Sequence, residues 1–128
     1  MVSLALEKWR KMANITVKDL IRLIPSGFKA ENAENVQTNI QIIATGSDGG
    51  EWVVKIKESK CSVEDGLMDN PDFTLTAETD NIIKMFLGEL DPLRAYMQGK
   101  ISFKGRIKQA LALTNLFTTD RAFYESLL

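Results

Sequence analysis

The sequence predicts an α+β domain: a mostly antiparallel, mixed sheet with helices segregated to one face. Three observations carry this. The hydrophobic period is helical before residue 25, switches to two between Val36 and Ala77, and turns mainly helical again from Ile82. The 128 residues are 45% hydrophobic and 26% charged, enough to bury a core without disulfides or metals. No repeat, linker or low-complexity stretch divides them, so residues 1–128 read as one domain.

Taken in order, residues 4–13 favour helix by propensity, with Leu6, Trp9 and Met12 or Ala13 near one face. Thr16 caps a second helix, Val17–Ile24, which Pro25-Ser26-Gly27 ends. Val36, Thr38, Ile40 and Ile42 alternate with polar Asn35, Gln37, Asn39 and Gln41, the pattern of a strand with a polar outer face. Residues 46–50 form a turn, and 51–58 return with Trp52, Val54 and Ile56 on one side. Cys61 and Val63 mark a short third strand, and Phe73, Leu75 and Ala77 a fourth. Asp80 is the expected N-cap of a helix that Gly88 closes. Asp91-Pro92 starts another, ended by Gly99. Residues 100–104 alternate once more, and a last helix runs from Arg106 to about Phe117, followed by a tail.

Composition excludes several chemistries. Without histidine there is no Ser-His-Asp triad, no His-ligated metal and no imidazole acid–base catalysis. The single Cys61 cannot form an internal disulfide, and an apolar strand face makes it a small core residue rather than a nucleophile. The net charge of −1 provides no general field for nucleic acid. Locally the balance differs: residues 1–35 are net +2, 36–98 net −6 and 99–128 net +3. The densest basic patch is Lys100, Lys104, Arg106 and Lys108, and its expected partner is an anionic membrane surface. No stretch approaches the roughly 18 apolar residues that span a bilayer. The start does not read as a signal peptide, and Ser126-Leu127-Leu128 lacks the basic middle residue of a peroxisomal address, so the expected location is cytoplasmic.

Weak motifs fall away on inspection. Gly46–Gly50 follows a strand but leads into another strand, so the helix N-terminus of a phosphate cradle is missing. Gly99-Lys100 lacks the Ser or Thr and the glycine spacing of a P-loop. Glu64, Asp65, Asp69 and Asp72 do not follow the EF-hand pattern and read as a solvated loop. The informative feature is an apolar excess near the C-terminus. Ile107, Ala110, Leu111, Leu113, Leu116 and Phe117 are broader than one buried stripe needs, and Phe123, Tyr124, Leu127 and Leu128 follow. Such a helix has a dense core around it, or a second apolar partner: a ligand, a subunit or a membrane.

Several residues in order resemble a known family. Trp52 follows the Gly-rich hairpin, and then come Asn70-Pro71-Asp72-Phe73-Thr74-Leu75, Gly88, Asp91-Pro92, Ala95 to Lys100, Phe103, Gly105 and Ala110. Over about residues 26–118 they look like the sterol carrier protein (type-two) domain, the non-specific lipid-transfer module; the string M-Q-G-K-I-x-F-K-G after D-P is its most specific part. The resemblance implies a five-stranded sheet covered on one face by helices around an apolar tunnel. It implies a tunnel lined by Leu75, Ile82, Met85, Phe86, Met97, Gln98, Phe103, Ile107, Leu111 and Phe117. There Gln98 orients a lipid head group, or it caps a helix at the surface. Residues 1–15 stand outside the resemblance as a helical extension. The expected function is to bind a sterol, fatty acid, fatty acyl chain or phospholipid and transfer it, without catalysis, cofactor or metal, as a monomer or homodimer. The alternatives are an accessory module presenting an isoprenoid or acyl substrate to an enzyme, and a ligand-free structural homodimer.

Overall fold

The computed structural model describes residues 15–118 and 121–127; the helix expected over residues 4–13 lies outside them. Helix α1 (Val17–Leu23) opens with a capping box: the Asp19 amide donates to Thr16 Oγ1 (3.2 Å) and the Thr16 amide to Asp19 Oδ2 (3.0 Å). Its buried face is Val17, Leu20 and Ile21. Pro25 stops the α-helix, and a 3-10 turn (Ile24–Gly27) carries the chain onward.

Five strands follow: β1 (Thr38–Thr45), β2 (Gly50–Lys57), β3 (Lys60–Asp65), β4 (Phe73–Glu78) and β5 (Ile101–Lys104). They form one sheet in the order β3-β2-β1-β4-β5, antiparallel except for the parallel β1–β4 pair. Register lines the inward side chains up in rows. Trp52, Ile42, Leu75 and Phe103 lie side by side across four strands, next to the row Val63, Val54, Ile40 and Phe73. The third row is small at its centre: Gly50, Ala44 and Ala77, then Ile101. Over it packs α2 (Thr79–Phe86), whose Ile82 and Met85 join the same buried cluster as Ala44 and Ala77. Missing side-chain volume on the sheet is thus filled by the helix.

Four details differ from the sequence reading. Glu78, not Asp80, stands at the N-cap of α2, without a side-chain cap bond. Strand β4 runs straight into the helix at buried Thr79, which leaves Asp80 in the first turn, where a carboxylate favours the helix dipole. Gln41, expected on a polar outer face, is only 2% exposed. Its amide donates to Trp52 O and Gly66 O (3.0 Å each) and accepts from the Met68 amide (2.9 Å), tying the β3–β4 connection across the sheet. The last long helix is shorter than expected: α4 covers Ile107–Leu113, and a 3-10 turn (Thr114–Leu116) follows. Phe117 is extended and bridges antiparallel to Phe28, with the Lys29 amide donating to Leu116 O (2.7 Å) and the Thr118 amide to Gly27 O (2.9 Å). These bonds claim the backbone that further helix would need. The tail is itself a helix, α5 (Arg121–Leu127); its Tyr124 is fully buried against α1 and donates to Thr118 O (2.8 Å).

Candidate functional site

An apolar cavity of about 200 Å³ lies between the inward face of the sheet and the helices. The sheet supplies its floor through Ile40, Ile42, Val54, Phe73, Leu75, Ile101 and Phe103. Met85 and Phe86 come from α2 and Ile24 from the first 3-10 turn. Helix α3 (Pro92–Met97) contributes Pro92, Leu93 and Tyr96, and the α4 segment Ala110, Leu113, Thr114, Phe117 and Thr118. Among the described residues of this wall, Tyr96, Thr114 and Thr118 carry side-chain oxygen and none is charged. The cavity opens to solvent, because Leu93 and Tyr96 line it while remaining 41% and 42% exposed.

Each wall has a local cause. Alternation in β1 and β4 puts Ile40, Ile42, Phe73 and Leu75 on one face, and Phe73 stacks on Phe103 at 5.5 Å between ring centres. On the helical side, Ala110 and Leu113 stand three apart on α4, and Thr114 and Phe117 reach the wall from the 3-10 turn and the extended residue that follow it. Phe28 packs on Phe117 at 5.7 Å and holds that end in place. Asp91 caps α3 by accepting from the Arg94 amide (3.0 Å), with Pro92 at its first position. Behind the wall, Phe86 meets Tyr124 edge-on at 6.3 Å.

Of the residues named from sequence, Leu75, Met85, Phe86, Phe103 and Phe117 meet at this cavity. Ile82 is fully buried, and it sits in the core under α2 rather than on the wall. Met97 and Gln98 do not reach it: Met97 is 76% exposed, and Gln98 is the exposed C-cap residue of α3. A helix of only six residues, followed by Gly99 at φ +74°, leaves its last turn facing water. The side chains of Ile107 and Leu111 lie outside what is described. The sequence reading passed over Phe73, Ile40, Ile42 and Val54, although they share Leu75's face by simple alternation.

Among the described residues that line the cavity there is no Cys, His, Asp or Glu. Cys61, half-buried on β3, has its thiol pushed up to about 11 by burial, which keeps it protonated and weakly nucleophilic. Burial likewise pushes Tyr124 up to about 12. Among the described residues no three His, Cys, Asp or Glu side chains form a group that could hold a metal. Asp72 of the acidic loop instead accepts from the Asn39 amide (2.8 Å). No helix among the described residues is long and apolar enough to cross a membrane.

Known proteins match this chain in sequence and in fold. Residues 5–118 match the SCP-2 sterol transfer family. The chain belongs to that family. The match begins inside the segment that the sequence reading set apart as an extension. Mouse hydroxysteroid dehydrogenase-like protein 2 is 33% identical over 103 residues, 80% of this chain and 21% of its own length. The chain thus spans about a fifth of that relative. Palmitated SCP2L2 from Aedes aegypti has the same fold, with a TM-score of 0.61 at 24% identity over 79% of this chain and 93% of its own. The sec-alkylsulfatase Pisa1 from Pseudomonas sp. contains a similar fold, TM-score 0.72 at 13% identity, over 80% of this chain and 16% of that enzyme.

Proposed function

We propose that this SCP-2 family chain binds a lipid, be it a sterol, fatty acid, fatty acyl chain or phospholipid, in the cavity and carries it without catalysing a reaction. The observation that supports this is the wall itself: about 200 Å³ of open space whose described lining is hydrocarbon with three hydroxyl-bearing residues and no charged one. Water gains little there, while each methylene transferred into it contributes roughly 0.8 kcal/mol. Apolar walls discriminate by only about 1–3 kcal/mol per methylene, so selectivity among chains is broad. Tyr96, at the mouth, is placed to hydrogen-bond a polar head, the part first assigned to Gln98. The test is displacement of a fluorescent fatty acid from the purified protein. Saturable displacement by lipids supports the reading, and none by any lipid class refutes it.

A second reading, an accessory module that presents an apolar substrate to an enzyme, draws support from the relatives. The matching segment is a fifth of a dehydrogenase-like protein, and a similar fold is a sixth of a sulfatase. A stable complex with a separate enzyme, with no transfer between vesicles, favours it over free carriage.

A further inference from the structure

We propose that the cavity takes one unbranched acyl chain of medium length, about eight carbons deep, tail first, and that it excludes sterols. This rests on the lipid-carrying reading and narrows it. Transfer from water favours every added methylene alike, so hydrophobicity sets no preferred length and volume must. An apolar cavity of ~150 Å³ holds a benzene ring, which is about 25 Å³ for each carbon. At that density an open space of about 200 Å³ takes about eight carbons. The rigid fused rings of a sterol alone hold about 17, and the second chain of a phospholipid has no room beside the first.

The closed sides are held from behind. Phe117 packs on Phe28 at 5.7 Å, and the backbone there is pinned by the bonds from the Lys29 amide to Leu116 O (2.7 Å) and from the Thr118 amide to Gly27 O (2.9 Å). Phe86 is backed edge-on by the fully buried Tyr124. On the floor, Phe73 stacks on Phe103 at 5.5 Å, and register holds Leu75 between Ile42 and Phe103. Enlarging the space means moving rings that already pack on a second partner, which a close-packed interior resists. The mouth differs, because Leu93 and Tyr96 line the cavity there and stay 41% and 42% exposed. A carboxylate finds no charged partner among the described lining residues, so its place is at the mouth beside Tyr96, in contact with water. A longer chain pushes its head outward and leaves the extra methylenes in water.

The experiment is displacement of a fluorescent fatty acid from the full chain by the straight-chain series from butanoate to palmitate, below micellar concentrations, with cholesterol and phosphatidylcholine as further competitors. Affinity is expected to rise about fourfold per methylene up to about eight carbons and less than about 1.5-fold per methylene beyond, with no saturable displacement by cholesterol or phosphatidylcholine. Two wall variants move this break in opposite directions. Leu75→Ala takes three carbons from the floor and shifts it to about eleven. Ala110→Leu, at a helical position that leucine suits, adds three and shifts it to about five, so the series is nearly flat from hexanoate upward. If Leu75→Ala does not fold, Ala110→Leu decides alone. A fourfold gain that continues to palmitate, a sterol that competes, or a break that the folded variants leave in place overturns the size limit and leaves the carrier reading standing. No displacement by any of these lipids overturns both.

Discussion

Filling the cavity should separate the stability of this fold from its capacity for cargo. Ala110 lies on the inward face of α4 and lines the wall, so Ala110→Trp directs an indole into the open space. At about 24 cal/mol per Å³, an empty apolar volume of about 200 Å³ represents at most roughly 5 kcal/mol of unrealised packing. Against that stand about 0.5 kcal/mol of helix propensity lost on replacing alanine and about 1–3 kcal/mol of local overpacking. The balance leaves the variant between as stable as the parent and about 3.5 kcal/mol more so. Cargo fares differently. An indole occupies the contact area of about 150–250 Å² that a chain would bury, worth roughly 4 kcal/mol or more at 25 cal/mol per Å². That is about a thousandfold in Kd. Thermal melting and displacement of a fluorescent fatty acid measure the two effects on one sample. A variant that melts like the parent and still binds within threefold of its affinity would refute the assignment of this space to the ligand.

Two further outcomes follow from the same geometry. Gly105 has φ +130°, and a Cβ there would stand 2.5 Å from Phe73 Cδ1 and 3.1 Å from Asp72 O. Gly105→Ala therefore costs about 2–4 kcal/mol in urea unfolding and weakens cargo binding by displacing the Phe73–Phe103 pair; a cost within 0.5 kcal/mol would contradict this. The second concerns alkaline pH. Cys61 and Tyr124 are raised to about 11 and about 12 from ordinary values of 9.0 and 10.0, so the unfolded chain releases these protons first. Their contribution to stability is intact below pH 9 and declines as pH rises from 9 to 12. Tyr124→Phe costs about 1 kcal/mol at neutral pH through the lost bond to Thr118 O, and it flattens the decline between pH 10 and 12; an unchanged slope in unfolding curves would count against the buried phenol.

Much of this fold was legible in the chain because its signals are local. Alternation from Thr38 to Ala77 placed four strands, and Asp91-Pro92, Gly88 and Gly99 bounded the helices as capping rules require. What escaped depends on partners distant in sequence. Nothing near Gln41 announces that Met68 and Gly66 will cover it. The β2–β3 turn uses Glu58-Ser59, both at positive φ, where Asn-Gly would have signalled a hairpin. The early stop of α4 answers to backbone bonds made with residues 27–29. The wall was half legible for the same reason. Strand residues could be assigned to a face by parity, but the outward turn at the end of α3 follows from packing across the whole chain.

A carrier must hold its cargo and also let it go, and the two halves of this wall differ in how firmly they are fixed. The sheet half is locked by ladders whose register runs across five strands. The helical half is built of α3, six residues, and α4, seven, both shorter than the roughly 12–15 residues at which helices begin to persist alone. Leu93 and Tyr96 of α3 and Ala110 and Leu113 of α4 line the cavity, while Ala95 anchors α3 in the core. No histidine is present to titrate between about pH 5 and 8, so acidification has no ordinary handle on release. Loading and unloading of a carrier are then governed by mass action between the cavity and whatever apolar phase its mouth meets.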